Sequence, residues 1–414
     1  MIILYRVLTN CILILLPIIL FFRILKKKED PKRFIEKIGI KTVKIDYKNV
    51  IWFHVSSVGE LISILPLIEK IEKRTNKKIL LTSNTTSSAE VFKKYKFKNT
   101  FHQYFPLDNN LVIKKFLNNW EPSLAIFVES EIWPNTTLEI NKRKIPLILL
   151  NGRITKKSFY NWSRFKVTSN YIFSKFDLCL CQNRETANYL KKLGSKKILQ
   201  PGNLKFSEIS DVKKFKLRKK LNKFFLSKNL IIGGISTHDT EEKFCIELFK
   251  NLRKKFNKFM CILIPRHVSR TNSIIENLKD SDLTFHRHSD KKFVNKKVDV
   301  YIVDTFGEAK KFIDKCSVVF VGGSLIHHGG QNPLEAARSG CKIIHGPNID
   351  NFTEVYALLK LIGLSYEIKR KKDALNIIDK ILKNKVKRKQ NIKKLKIMGQ
   401  RILNENYRQL SNFI

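Results

Sequence analysis

The stretch FVGGSLIHHGGQNPLEAARSG, residues 320–340, packs a strand end, a bare loop and a helix start into one run. Apolar residues lead into Gly322-Gly323-Ser324. Two histidines and Gly329-Gly330 follow. Asn332 then reads as an N-cap, Pro333 as the first helical position and Glu335 as a first-turn carboxylate. Free N–H groups at such a helix start suit an anion such as a phosphate, and glycines let it approach. Glu335 would repel that anion; it suits the paired hydroxyls of a ribose better. Taken alone, the stretch also reads as an ordinary capped helix behind a loop. The rest of the chain has to decide between them.

Working outward, the same strand-to-helix unit recurs. VIWFHV (50–55), KILLTS (78–83), LAIFVE (124–129), PLILLN (146–151) and LCLCQ (178–182) read as strands, with helices such as 60–73 and 183–193 between them. A lysine-rich interval without a strand runs from Gly202 to Lys228. The pattern resumes with LIIGGI (230–235), MCILIP (260–265), VYIVD (300–304), SVVFVGG (317–323) and KIIHG (342–346), and the tail from Lys371 reads as helical. Alternation of this kind predicts parallel strands with crossover helices. The expected organisation is an anchor over 1–28, an α/β domain over 29–205 and a second over 206–414. Ligands of open α/β sheets bind at the carboxyl ends of strands, so two such sheets are expected to face a cleft.

The N-terminus, VLTNCILILLPIILFFRILKKK, is apolar from Val7 to Leu25 apart from a few polar residues such as Asn10 and Arg23. That is about enough to cross ~30 Å of hydrocarbon. No small-residue cleavage site follows. Lys26-Lys27-Lys28 against Arg6 predicts a spanning anchor with the bulk of the chain in the cytoplasm. Of 414 residues, 80 are Lys or Arg and 36 Asp or Glu, a net charge of +44. A coding sequence rich in A+T is one source of so much lysine; attraction to an anionic leaflet is another consequence. No RNP aromatic pattern, recognition-helix motif or dense basic stripe accompanies the charge, which argues against a nucleic-acid partner. Seven cysteines without a CxxC pair read as buried thiols, not disulfides or zinc ligands.

Polar clusters stand at several strand ends. LIPRH delivers Pro265, Arg266 and His267; Arg266 offers a fork that matches phosphate oxygens. VDTFGE delivers Asp304, Gly307 and Glu308, and GISTHDTEE delivers Ser236, Thr237 and His238 with carboxylates behind them. Four clusters in one half point to a nucleotide site. In the first half, FHVSSVGE places Glu60 at a helix start, either as a dipole-pairing residue or as a general base. FVESEIWPN carries Glu129 and Glu131, which share a strand face if the strand continues. PGNLKF carries Lys205 at the junction of the halves. The adjacent His327 and His328 read as loop residues, and no metal cluster is expected.

These motifs, with NGRIT, GGQNPLEAA and GPNIDNF, stand in the order found in the bacterial 3-deoxy-D-manno-octulosonic acid (Kdo) transferases, which the chain resembles to about Phe352. The resemblance implies a GT-B glycosyltransferase fold of two Rossmann-like domains. It also implies a CMP-Kdo donor, lipid IVA as acceptor, and a place at the cytoplasmic face of the bacterial inner membrane. No cofactor other than the donor is implied. By position, Glu60 falls on the family's general base, and Glu129 and Lys205 on residues that steady the transition state. The CMP contacts fall on Pro265, Arg266, Phe306, Gly307, Glu308, Asn332, Pro333, Leu334 and Glu335. Phe306, Gly152, Gln331 and Asn348 depart from residues common in the family; at Phe306 the departure leaves only a backbone contact to the cytosine. Another GT-B enzyme with a lipid acceptor, such as a lipid A disaccharide synthase, is the nearest alternative, and a sugar-nucleotide epimerase shares the fold.

Overall fold

The structure is a computed structural model that describes residues 1–43, 47–208, 217–256, 259–290, 297–383 and 387–414. The chain forms two compact units: Met1–Ile209 with Met398–Ile414, and Ser210–Ile397.

The first unit is built on a sheet of seven parallel strands: β1 (Ile51–Val55), β2 (Ile79–Ser83), β3 (Thr100–Tyr104), β4 (Leu124–Val128), β5 (Leu147–Gly152), β6 (Leu178–Cys181) and β7 (Ile198–Leu199). Their order is β3-β2-β1-β4-β5-β6-β7. The second unit repeats the plan with β8 (Leu230–Thr237), β9 (Phe259–Pro265), β10 (Phe285–Arg287), β11 (Val300–Ile302), β12 (Val318–Val321), β13 (Lys342–His345) and β14 (Ser365–Glu367), ordered β10-β11-β9-β8-β12-β13-β14. Central strands are buried on both faces, which is why they read as unbroken apolar runs. Trp52, Phe116, Trp120 and Phe127 fill one core; Phe244, Phe249 and Phe320 fill the other.

Each sheet reverses its winding once. The reversal lies between β1 and β4 in the first unit and between β8 and β12 in the second. At such a point adjacent connections diverge to opposite faces, and the strand ends leave a crevice. The quoted motifs VSSVGE and VESEIWPN follow β1 and β4; STHDTEE and VGGS follow β8 and β12.

The four strands not read from the sequence, β3, β7, β10 and β14, are the four sheet edges. β3 carries His102 and Gln103, both buried and paired: Arg33 donates to the His102 carbonyl, and Trp120 Nε1 donates to Gln103. The tail is helical over Lys371–Lys383 and Arg388–Leu410. Its last part was expected in the second domain, yet Met398–Ile414 groups with the first unit. A Cβ on Gly399 would stand 2.2 Å from the Phe206 carbonyl, and Arg74 lies over the Tyr407 ring. Six cysteines are buried thiols as expected, but Cys11 is exposed on the N-terminal helix. That helix, α1 (Ile2–Leu25), is the one helix among the described residues long and apolar enough to cross a membrane.

Candidate active site

In the first unit, Ser57 caps the helix Val58–Arg74, and Glu60 turns back on it. The Ser56 N–H donates to Glu60 Oε2 at 2.7 Å and Ser57 Oγ to Oε1 at 2.9 Å. The Glu60 N–H in turn donates to Ser57 Oγ at 3.3 Å, so Glu60 sits in the first turn of a capped helix and the dipole-pairing reading is realised. It does not exhaust the residue. Burial, opposed by the Ser56 bond and assisted by the charges of Glu129 and Glu131, pushes the Glu60 carboxyl up to about 7.

The two glutamates reach this neighbourhood differently from the strand-face expectation. β4 stops at Val128, and Glu129 adopts the left-handed conformation with φ 58°. A non-glycine residue there costs about 1 kcal/mol or more, so the surroundings must impose it. They do: the Glu129 N–H donates to the Leu150 carbonyl, its own carbonyl accepts from the Arg153 N–H, and its buried side chain pairs with Lys205 Nζ at 2.7 Å. Glu131 lies beyond the turn, where its Oε2 accepts from Trp133 Nε1 at 3.0 Å and meets His54 Nε2 at 3.2 Å.

His54 had no assigned role. Its ring is fully buried, stacked on Phe105 at 3.8 Å, and burial drives its pKa down, so it is neutral. Thr82 Oγ1 accepts from Trp52 Nε1 and faces His54 Nδ1 at 3.1 Å. The Thr82 hydroxyl itself donates to the Phe53 carbonyl at 3.3 Å, so the His54 ring is held between Thr82 and Glu131. Lys205 is delivered by a second unforeseen network. Asn151, also left-handed at φ 53°, accepts the Leu204 N–H on Oδ1, while Gln182 ties Asn151 to Asn203, whose Oδ1 accepts the Lys205 N–H.

In the second unit the glycine-rich loop is held by one buried carboxylate. Glu241 accepts from the N–H groups of His238, Gly323, Ser324 and Leu325 at 2.7–3.1 Å. Gly322 is there because a Cβ would stand 2.3 Å from the Ser236 carbonyl. The strand ends of β8, β9 and β12 thereby meet: the His238 ring lies 4.5 Å from that of His328 and 6.1 Å from that of His267. The buried Nε2 of His238 has no hydrogen-bond partner among the described residues, and burial beside His328 lowers its pKa. Arg266 is exposed at the same edge, its N–H bonded to the Thr237 carbonyl. Arg266 is a fixed cation at these strand ends, placed near the His238 ring.

Residues 31–208 match the family described as 3-deoxy-D-manno-octulosonic-acid transferase. A protein of Rickettsia bellii named 3-deoxy-D-manno-octulosonic acid transferase is 36% identical over 374 residues, 89% of this chain and 88% of that one. The chain belongs to the Kdo transferase family. A protein of the same name from Haemophilus influenzae is 28% identical over 96% of this chain and 94% of its own length. The structure of a UDP-GlcNAc 2-epimerase from Neisseria meningitidis shares the fold, at TM-score 0.58 and 12% identity over 89% of this chain and 99% of that one. The chain is thus a glycosyltransferase of GT-B fold.

Against this Kdo transferase frame, the expected nucleotide residues separate into two groups. Arg266, Phe306, Gly307 and Asn332 are exposed, Phe306 at 86%. Pro265, Pro333 and Leu334 are buried. The short helix Leu334–Arg338 starts one residue later than expected, with Pro333 at the cap; Asn332 Oδ1 accepts the Leu334 N–H at 3.1 Å. That N–H is therefore already bonded, and the Leu334 side chain serves the core. Glu308 is the cap residue of the helix Ala309–Ile313. Its carboxylate is held by Lys311, Thr305 and His288, and the Lys311 bond leads in lowering its pKa to about 2. Glu335 stands 3.6 Å from Lys310, so the two helix starts are neighbours. Asp304 anchors the Ser289 turn. Among the described residues, no group of three or more His, Cys, Asp or Glu side chains is arranged to hold a metal ion.

Proposed function

We propose that this enzyme transfers Kdo from CMP-Kdo to the 6′-hydroxyl of lipid IVA, with inversion at the anomeric carbon. Glu60 carries the reading. It is a carboxyl at the winding reversal of the first sheet, held by two donors and raised to about 7. A base poised near the working pH is half ionised and still basic enough to accept a proton, a combination worth about 10²–10⁴-fold. In the proposed step the acceptor hydroxyl gives its proton to Glu60 as its oxygen attacks the anomeric carbon. The bond from that carbon to the phosphate oxygen breaks, and CMP leaves with the electron pair.

Glu129 offsets the positive character of the oxocarbenium-like transition state. Lys205, paired with it, supplies a cation for Kdo's carboxylate or for the leaving phosphate. On the second unit Arg266 and His238 meet the phosphate, and Glu335 takes the ribose hydroxyls. The donor brings the chemistry, and the step as written takes no cofactor.

The acceptor is an amphiphile, so the reading places the enzyme at the cytoplasmic face of the bacterial inner membrane, in the lipid A–Kdo part of lipopolysaccharide synthesis. The net charge of +44 supports attraction to a bisphosphorylated headgroup and an anionic leaflet, without nucleic acid as partner. The test incubates the enzyme with lipid IVA and either CMP-Kdo or a UDP-sugar and weighs the lipid. A gain of Kdo from CMP-Kdo alone supports the reading. Dependence on the UDP-sugar instead would return the lipid A disaccharide synthase alternative.

A further inference from the structure

The N-terminal helix α1 combines an apolar surface with polar fastening to the first unit. Tyr5 donates its hydroxyl to Asp108 Oδ2 at 2.7 Å. Asn135 Nδ2 donates to Thr9 Oγ1, and Arg6 Nε donates to Asn135 Oδ1. One residue further on, Asn109 Nδ2 donates to Asn10 Oδ1 at 2.7 Å. Asp108 is buried and also accepts the N–H groups of Asn135 and Thr136. The dock is therefore part of the unit's own polar framework.

The other end is fastened as well. Arg23 and Lys37 both pair with the buried Glu29 at 2.7 Å. The Lys37 carbonyl accepts the N–H of Leu107, the neighbour of Asp108. Both ends of the helix are thus tied back to the segment Leu107–Asn109. Between the ties, the less exposed positions Tyr5, Thr9, Leu13, Leu16, Leu20 and Ile24 recur at three- and four-residue steps. That is one stripe along the helix, as expected for a helix laid against protein. The opposite side is apolar and open, with Ile3 80%, Ile14 78% and Phe22 55% exposed.

A spanning role conflicts with these contacts. With Tyr5 to Asn10 docked, only Cys11 to Leu25 is left, about 22 Å of helix at ~1.5 Å per residue. The hydrocarbon core is ~30 Å thick. Crossing would also pull Tyr5, Arg6, Thr9 and Asn10 from their partners and carry an arginine through hydrocarbon, a cost of about 3 kcal/mol on insertion scales.

We propose that α1 lies in the plane of the membrane surface, its open apolar side sunk into one leaflet and its less exposed stripe, with the polar ties at its ends, kept on the protein. The occupant of that side is an anionic lipid surface. Exposed Lys26, Lys27 and Lys28 at the helix end, with a chain of net charge +44, supply the complementary charge. The helix then acts as a keel that sets the height of the first unit above the lipid. It replaces the spanning anchor expected from hydropathy. The inference shares with the proposed function only the need for a lipid surface.

The test uses the full chain with Cys11→Ser, which removes the exposed thiol while the other six stay buried. Ile3→Cys, Ile14→Cys and Phe22→Cys are labelled singly with an environment-sensitive fluorophore. Each is bound to vesicles of phosphatidylcholine and phosphatidylglycerol with bromines at graded depths along the acyl chains. In-plane seating gives all three labels the same shallow depth, about 5–10 Å below the headgroups. A mid-plane label at Ile14, with Ile3 reached by a membrane-impermeant quencher only from the opposite side, overturns the proposal. So does an absence of quenching at all three positions. Neither outcome depends on whether the enzyme accepts lipid IVA, so failure here is separable from failure of the proposed function.

Discussion

Glu60 is held by two donors and crowded by two like charges, and burial decides the balance between them. Its carboxyl is raised from the ordinary value to about 7, with burial the leading cause. Two consequences follow at this residue. Removing the Glu131 charge by Glu131→Gln lowers the acid limb of the pH–rate profile from about 7 toward the ordinary carboxylate range, which a profile of kcat/KM would read out. Folding stability carries the opposite imprint. A carboxyl raised in the folded state favours folding most below its ordinary pKa and loses that contribution as pH climbs past about 7. Glu60→Gln is therefore expected to be relatively more stable than the parent at pH 8 than at pH 5. Melting curves at the two pH values check it; an equal difference at both would mean that Glu60 titrates normally. Glu60 itself was legible in the sequence because FHVSSVGE ends an apolar strand and places a glutamate at a helix start. His54, Asn151 and Gln182 were not, because each acts through a partner distant in sequence, such as Glu131 or Asn203.

At the scale of elements, Glu241 ties the helix Asp239–Arg253 to the loop after β12. Glu241→Ala leaves buried N–H groups without an acceptor, a loss of about 3 kcal/mol or more. At ~2–4 °C per kcal/mol the melting temperature of the second unit falls by about 6–12 °C. A melt unchanged by the substitution would show that the loop holds itself. The central strands were readable because double burial makes continuous apolar runs. The edge strands were not: β3 mixes in His102 and Gln103, β7 has two residues, and β10 and β14 three each. The short helix runs from Leu334, one residue later than read, yet Asn332 still makes the cap bond expected of it by accepting the Leu334 N–H. Its glycine-rich approach was nonetheless read correctly as the end of a buried strand.

Across the molecule, two parallel sheets of different strand order carry polar groups at their strand ends, carboxylates such as Glu60 and Glu129 on one and Arg266 with His238 on the other. This division predicts separable defects. Arg266→Ala weakens CMP and CMP-Kdo binding by about tenfold or more, read by calorimetry, while leaving the pH profile of transfer in place. Unchanged affinity would remove Arg266 from the phosphate. Vesicle binding of the full chain falls steeply with salt if the net charge of +44 acts on anionic lipid. The most direct measurement is the pH dependence of Kdo transfer from CMP-Kdo to lipid IVA under single turnover, for the parent enzyme and Glu60→Gln. The parent rate is expected to rise through about pH 7 and level off, and the variant to be slower by about 10²–10⁴-fold and flat across that range. A variant that turns over at the parent rate with the same rise would contradict the account.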